Sequence, residues 1–178
     1  MLYFKPSPHD GLCGFVAAIN AIRYLQRRAA LTEQLDDAEF FNEAVECLAR
    51  VPGCDLRILK NDPAIGGIDP FQIRDLCVLI SERVGLGVHV RLANVSEKLP
   101  FAARYRSAFE RGVPFAFVVP YRDGSHWVAA LPNDDQSYRL VDDGGARICL
   151  LRRGDGPKLA AQSVIALWGI ATAPPCPG

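Results

Sequence analysis

Apolar residues follow two different spacings along this chain, and the spacing changes near its middle. In the first half they recur at the three- and four-residue intervals of amphipathic helices. The predicted helices cover Cys13 to about Arg28, Asp36 to about Ala49, Asp69 to about Val84 and a shorter stretch near Phe101 to Glu110.

The second half has short runs rich in β-branched and aromatic residues, separated by turn residues such as Asp123-Gly124 and Gly144-Gly145. Turns this tight favour antiparallel pairing over alternating βαβ units. The predicted strands are Gly87–Leu92, Pro114–Tyr121, His126–Leu131, Ser137–Asp142, Ala146–Leu151 and Ser163–Ile170. Helices followed by strands indicate an α+β fold. Because the first helix is apolar nearly all round, we expect it to be central and packed on the sheet.

Composition narrows the picture to an ordinary globular protein of 178 residues, 49 % hydrophobic and 22 % charged. The length predicts one domain over residues 1–172, and the Pro-rich residues 173–178 are predicted to be a disordered tail. With 20 basic and 20 acidic residues, the chain has no net field to attract nucleic acid or an anionic membrane. Protein or small-molecule partners are the expectation.

The first residues lack the pattern of a secretory signal, and no apolar run approaches the ~20 residues that span a bilayer. We therefore expect a cytoplasmic protein with free thiols. Its six cysteines are scattered without zinc spacing, so neither a metal nor another cofactor is predicted, and no Cys47–Cys54 disulfide is expected. Cys77 and Cys149 lie in apolar runs and are predicted to be core residues.

Cys13 stands apart because Gly11 and Gly14 bracket it at the start of the apolar helix. The glycines suggest a tight turn into the helix, with backbone held close to a neighbour. A thiol at a helix N-terminus feels the positive end of the macrodipole and unpaired N–H groups, which stabilise a thiolate and lower its pKa. The same N–H groups can hold an oxyanion.

A predicted hairpin in the second half carries the complementary groups, with His126 on one strand and Asp142 and Asp143 at the end of the next. A turn centred between residues 134 and 135 would place Asp143 opposite His126, and a shift of one residue would bring Asp142 there. A cross-strand carboxylate can orient the imidazole, which can then take a proton from the thiol. Cys13, His126 and an aspartate are thus candidate nucleophile, base and orienter.

With the cysteine, the histidine and the aspartate in this order along the chain, the sequence resembles the papain-like cysteine peptidase superfamily over most of its length. The segments "GGIDPFQIRDLCVLISERVGLGVHVRL", "SHWVAA", "YRLVDD" and "VIALWGIA" follow the order of bacterial double-glycine leader peptidases and Josephin-type deubiquitinases. "DGLCGF" is also similar to the opening of ovarian-tumour-type deubiquitinases, which place their histidine later. The resemblance implies a papain-like fold, with Cys13 as nucleophile, His126 as general base and Asp142, rather than the alternative Asp143, as orienter.

The sequence departs from the superfamily where an oxyanion-hole glutamine is expected, five or six residues before the cysteine. The hole would then use the Cys13 backbone N–H together with Ser7, His9 or the loop at Asp10, or it would be incomplete.

The function predicted is a thiol hydrolase, a peptidase or isopeptidase acting through an acyl-enzyme on a peptide or protein substrate. A papain-like deamidase, transglutaminase or acyltransferase is a second hypothesis. A catalytically inactive module that binds a peptide or protein is a third, and the missing glutamine supports it. The resemblance implies a bacterial protein, cytoplasmic or delivered as an effector without a Sec signal. Substrate and oligomeric state stay open.

Overall fold

The structure is a computed structural model, and it describes residues 10–29, 35–60, 66–94, 101–121, 126–142, 145–150 and 163–169. The predicted tail at residues 173–178 lies outside these ranges.

Four helices fill the first part of the chain, and their bounds agree with the predicted ones to within about one residue. Helix α1 is preceded by a 3₁₀ turn at Asp10–Leu12. A further 3₁₀ segment, Leu56–Lys60, was not predicted. The helices are α1 (Cys13–Arg28), α2 (Asp37–Leu48), α3 (Pro70–Arg83) and α4 (Phe101–Glu110).

Six strands form one antiparallel sheet in the order β1-β6-β2-β3-β4-β5. The strands are β1 (Val88–Asn94), β2 (Phe115–Tyr121), β3 (His126–Pro132), β4 (Ser137–Asp142), β5 (Gly145–Leu150) and β6 (Ser163–Gly169). Helix α1 packs chiefly on β3 and β2, and nearly all of its side chains from Cys13 to Gln26 are buried. The α+β fold and the central N-terminal helix on an antiparallel sheet are therefore confirmed.

The two faces of the sheet bury different side chains. On β3, Ala129 and Leu131 belong to the core under the helices, together with the fully buried Cys77 of α3. Val128 and Ala130 are equally buried but do not belong to that core, so they lie on the second face, as strand alternation requires. Cys149 lies on β5 opposite Tyr138.

The register of the β3–β4 hairpin differs by one residue from the predicted one. Ala130 pairs with Leu140 and Pro132 with Tyr138, so five residues connect the paired positions and the turn is centred on residue 135. The cause is local, because the backbone amides of Asn133 and Asp134 both donate to the Ser137 carbonyl. The predicted pairing of His126 with Asp143, or after a shift with Asp142, is therefore wrong.

Two polar groups that the sequence analysis did not single out hold the elements together. Arg23 on α1 is 5 % exposed; it donates to the Asp37 carboxylate at 2.9 and 3.1 Å and to the Leu35 carbonyl at 2.7 Å. This ties α2 to the central helix. The Tyr105 hydroxyl on α4 lies 2.6 Å from the Ser137 carbonyl and accepts from the Asn133 amide at 3.2 Å. Burial raises the pKa of Tyr105 to about 12.

Candidate active site

Cys13 is the first residue of α1 and is 4 % exposed. The residue before it, Leu12, occupies the N-cap position and makes no side-chain capping hydrogen bond, and the first turn of α1 contains no acidic residue. The first N–H groups of a helix have no partner within the helix, and the macrodipole adds a partial positive charge there. Cys13 thus lies at the helix end where the macrodipole adds partial positive charge.

The close packing around residue 14 explains why a glycine follows Cys13. A Cβ atom built on Gly14 would lie 2.8 Å from Ile68 Cγ1 and 2.9 Å from Ile73 Cδ1, closer than side-chain carbons approach one another. These isoleucines lie just before α3 and in its first turn. The start of α3 therefore packs directly behind the start of α1, and this confirms the close backbone approach expected from the sequence.

Cys13 and His126 are the first residues of two elements that pack on each other, α1 and β3. Tyr24 near the end of α1 lines one cleft together with Leu131 near the end of β3. Going back from Tyr24 to Cys13 covers about 17 Å of helix at 1.5 Å per residue. Going back from Leu131 to His126 covers about 17 Å of strand at 3.3 Å per residue. The two first residues are thus displaced equally from the shared cleft.

His126 and Asp142 occupy the same face of the sheet. The observed register, continued by one residue, puts Asp142 across from Val128, and residues two apart on a strand share a face. Asp142 is therefore diagonal to His126 in the register. The alternative, Asp143, lies outside the described residues.

The face that carries His126 is not the one that α1 covers. Trp127, the next residue, packs against the core under the helices, so alternation puts His126 on the second face. His126 is also the first residue of β3 and is only partly buried.

The predicted oxyanion-hole residues cannot be placed around this end. Ser7 and His9 lie outside the described residues, and Asp10 lies in the 3₁₀ turn that leads into α1. The backbone N–H groups at the start of α1 are the donors that the described residues offer.

Other cysteines provide a contrast, because their surroundings disfavour the thiolate. Burial raises the pKa of Cys47 and drives that of Cys77 well above the usual range. Burial and, secondarily, the Asp55 carboxylate raise the pKa of the partly buried Cys54. All three are free thiols. Within the described ranges, no group of histidine, cysteine and acidic side chains could hold a metal ion, and no helix is long and apolar enough to span a bilayer.

Comparison with known proteins adds little to this geometry. No protein-family model matches the sequence, and no curated protein matches it. Among solved structures, the chain is similar to the crystal structure of the Pseudomonas avirulence protein AvrPphB. The TM-score is 0.40 at 10 % identity, over 91 % of this chain and 93 % of that chain. Similarity at this level does not identify an activity.

Proposed function

We propose that this protein is a papain-like, cysteine-dependent hydrolase that cleaves a peptide, isopeptide or related amide bond. Cys13 is the nucleophile, His126 the general base and acid, and Asp142 the orienter of the imidazole. The observation that carries the proposal is the start of α1, where a thiol is the first residue of the central helix and the N-cap residue, Leu12, supplies no capping side chain.

The arrangement of the sheet supports the other two roles. His126 begins β3, the strand on which α1 packs, and the hairpin register puts Asp142 two positions from the residue opposite His126. A carboxylate beside the imidazole keeps the required tautomer and stabilises the imidazolium.

The reaction follows from these roles. The Cys13 thiolate attacks the substrate carbonyl carbon, and the oxyanion that forms faces the backbone N–H groups at the start of α1. The carbon–nitrogen bond breaks as protonated His126 gives its proton to the leaving amine, which leaves a thioester on Cys13. His126 then takes a proton from water, whose oxygen attacks the thioester carbonyl. The products are the acid and the free thiolate, with the proton back on His126.

The experiment is iodoacetamide labelling of each cysteine across the pH range, with each rate expressed relative to that thiol's own plateau at high pH. This ratio removes differences in access between the buried Cys13 and the partly buried Cys54. We expect Cys13 to keep most of its plateau rate at about pH 6, below the ordinary thiol pKa of about 8.5. Because its pKa is raised, Cys54 is the internal control and should lose nearly all reactivity there.

Two histidine variants make the test specific. His126→Ala should abolish the reactivity of Cys13 at low pH, whereas His89→Ala, on the exposed side of β1, should leave it unchanged. If Cys13 titrates like Cys54, or if His126→Ala changes nothing, the catalytic proposal is wrong. The separation of Cys13 and His126 onto different sides of the sheet would then favour an inactive module that binds a peptide or protein.

If the labelling profile is as expected, incubation with a peptide library separates the chemistries that share this triad. Peptidase activity produces chain cleavage. Deamidation instead releases ammonia from a glutamine without cleavage, and transfer joins the acyl group to an added amine.

A further inference from the structure

A second recess lies at the opposite end of β3 from His126. It is a cleft of about 300 Å³ between the last turns of α1 and the β3–β4 hairpin. Small-molecule sites in proteins span about 300 to 1,000 Å³, so the cleft is large enough for a compact ligand. The proposed catalytic reaction makes no use of it.

One wall of the cleft is aromatic. Phe109 at the end of α4 lines it and is 38 % exposed, although its ring stacks on the buried ring of Tyr105 at 6.4 Å and 10°. Tyr24 of α1 contributes a second aromatic side chain. Since Tyr105 supports one face of Phe109, the outer face is a rigid surface on which a flat group can stack.

The other wall carries two guanidinium groups, those of Arg28 and Arg139. Arg139 is partly buried, and its Nη2 lies 3.4 Å from Asn133 Oδ1. The amide nitrogen of Asn133 in turn donates to Asp134 Oδ2 at 2.8 Å and to Ser137 Oγ at 2.7 Å. These two bonds turn the amide oxygen of Asn133 towards Arg139.

No carboxylate lines the cleft among the residues that the structure describes. Both acidic residues of the hairpin turn accept hydrogen bonds within the turn, Asp134 from the Gln136 amide and Asn133, and Asp135 from the Gln136 side chain. Hydrogen bonds also hold the pKa of Asp134 below its usual value, with the contact to Ser137 contributing most. Arginine favours carboxylate and phosphate because its planar fork can donate two hydrogen bonds to either.

We propose that this cleft, hereafter the hairpin cleft, binds a small ligand that combines a flat aromatic ring with an oxyanion. The ring stacks on Phe109, and Arg28 and Arg139 bind the oxyanion, which is a phosphate or a carboxylate. This inference does not rest on the catalytic proposal.

The test is isothermal titration of the full chain with four probes. AMP presents an aromatic ring with a phosphate, and hippurate presents one with a carboxylate. Adenosine lacks the anion, and inorganic phosphate lacks the ring. We expect AMP or hippurate to bind roughly tenfold or more tightly than adenosine or phosphate, since both charge-assisted bonds and stacking contribute. Which of the two binds identifies the oxyanion.

Three arginine variants locate the site. Arg28→Gln and Arg139→Gln should each weaken binding by roughly tenfold, the effect of removing a charged hydrogen-bond donor. Arg50→Gln is the matched control, because Arg50 is an exposed arginine just after α2, as Arg28 is at the end of α1, and does not line the cleft. Absence of binding by both AMP and hippurate at millimolar concentration overturns the proposal. Binding that neither cleft variant weakens, or that Arg50→Gln weakens equally, also overturns it.

Discussion

Helices α1 and α3 begin side by side, with the isoleucines around the start of α3 packed against Gly14, yet the two helix starts are built differently. At α3, the Asp69 side chain accepts from the amides of Phe71 and Gln72 at 2.8 and 2.9 Å. The Gln72 side chain accepts from the Asp69 amide in return. Leu12, at the corresponding position of α1, supplies no such bond, and Cys13 follows it.

The comparison shows that a helix start can either stabilise the fold through a cap or lack the cap and carry a chemically reactive residue. A capping box satisfies helix-end N–H groups and stabilises the fold, and α2 has one as well. The start of α1 lacks this side-chain cap, because a 3₁₀ turn ending at Leu12 leads into the helix instead. Its N-cap backbone is helical, with ψ at −9°, whereas that of Asp69 is extended, with ψ at 168°. The uncapped state is therefore built into the chain path as well as into the choice of residue.

The largest expected effect comes from placing a thiol at the capped helix start. In Pro70→Cys, a cysteine at the first position of α3 has the Asp69 carboxylate beside it, which disfavours a thiolate. At about pH 6 we expect this thiol to keep less than roughly one hundredth of its plateau labelling rate, while Cys13 keeps most of its own. Iodoacetamide labelling read by peptide mass spectrometry measures both thiols in one sample. Equal profiles would mean that the open helix start does not activate Cys13.

A smaller effect is expected from filling the contact between the two helix starts. Gly14→Ala introduces a Cβ within 3 Å of two isoleucine carbons, and such overpacking costs about 1 to 3 kcal/mol. Gly66→Ala is the matched control, because a Cβ added there would meet nothing within 4 Å. We expect it to be neutral or stabilising by about 0.5 kcal/mol through the unfolded state. Urea unfolding gives both values, and equal free energies of unfolding for the two variants would contradict the close approach at Gly14.

The smallest effect concerns the caps themselves. Asp69→Ala should lower the free energy of unfolding by about 1 kcal/mol, the usual contribution of an N-cap side chain. Leu12→Ser places a capping residue type at the start of α1, but the helical backbone there prevents the capping geometry. It should therefore bring no gain and should lose the packing of Leu12 against the core. Thermal unfolding of both variants checks this, and stabilisation by Leu12→Ser would contradict the argument.

Local signals in the sequence were sufficient to predict the positions of the helices and strands. Pro70 in the first turn of α3 and Gly85 after its end, with φ at +66°, mark that helix from both sides. Gly112, with φ at +64°, does the same after α4. The unbroken apolar surface of α1 correctly predicted a central helix, because only a buried helix has no polar face.

The same local signals could not predict how distant segments of the chain pair. Nothing in the sequence of β6 indicates that it lies between β1 and β2. The hairpin register depends on whether four or five residues connect the two strands. The backbone amides of Asn133 and Asp134 both donate to the Ser137 carbonyl, and this fixes the five-residue connection. The hairpin cleft was missed because Arg28 and Arg139 are 111 positions apart and only the packing of α1 near the β3–β4 hairpin brings them to one cleft. A charged residue in an apolar helix, Arg23, was the one visible sign of the α1–α2 connection.

The place of β6 inside the sheet has a consequence for biosynthesis. Residues 163–169 pair with β1 on one side and with β2 on the other, so a nascent chain that lacks them has two sheet fragments with unpaired edges. The earlier strands cannot be joined into one sheet until the ribosome has synthesised residues 163–169. If the protein hydrolyses peptide bonds, this order of assembly delays the complete sheet, and with it the activity, until that segment has been made.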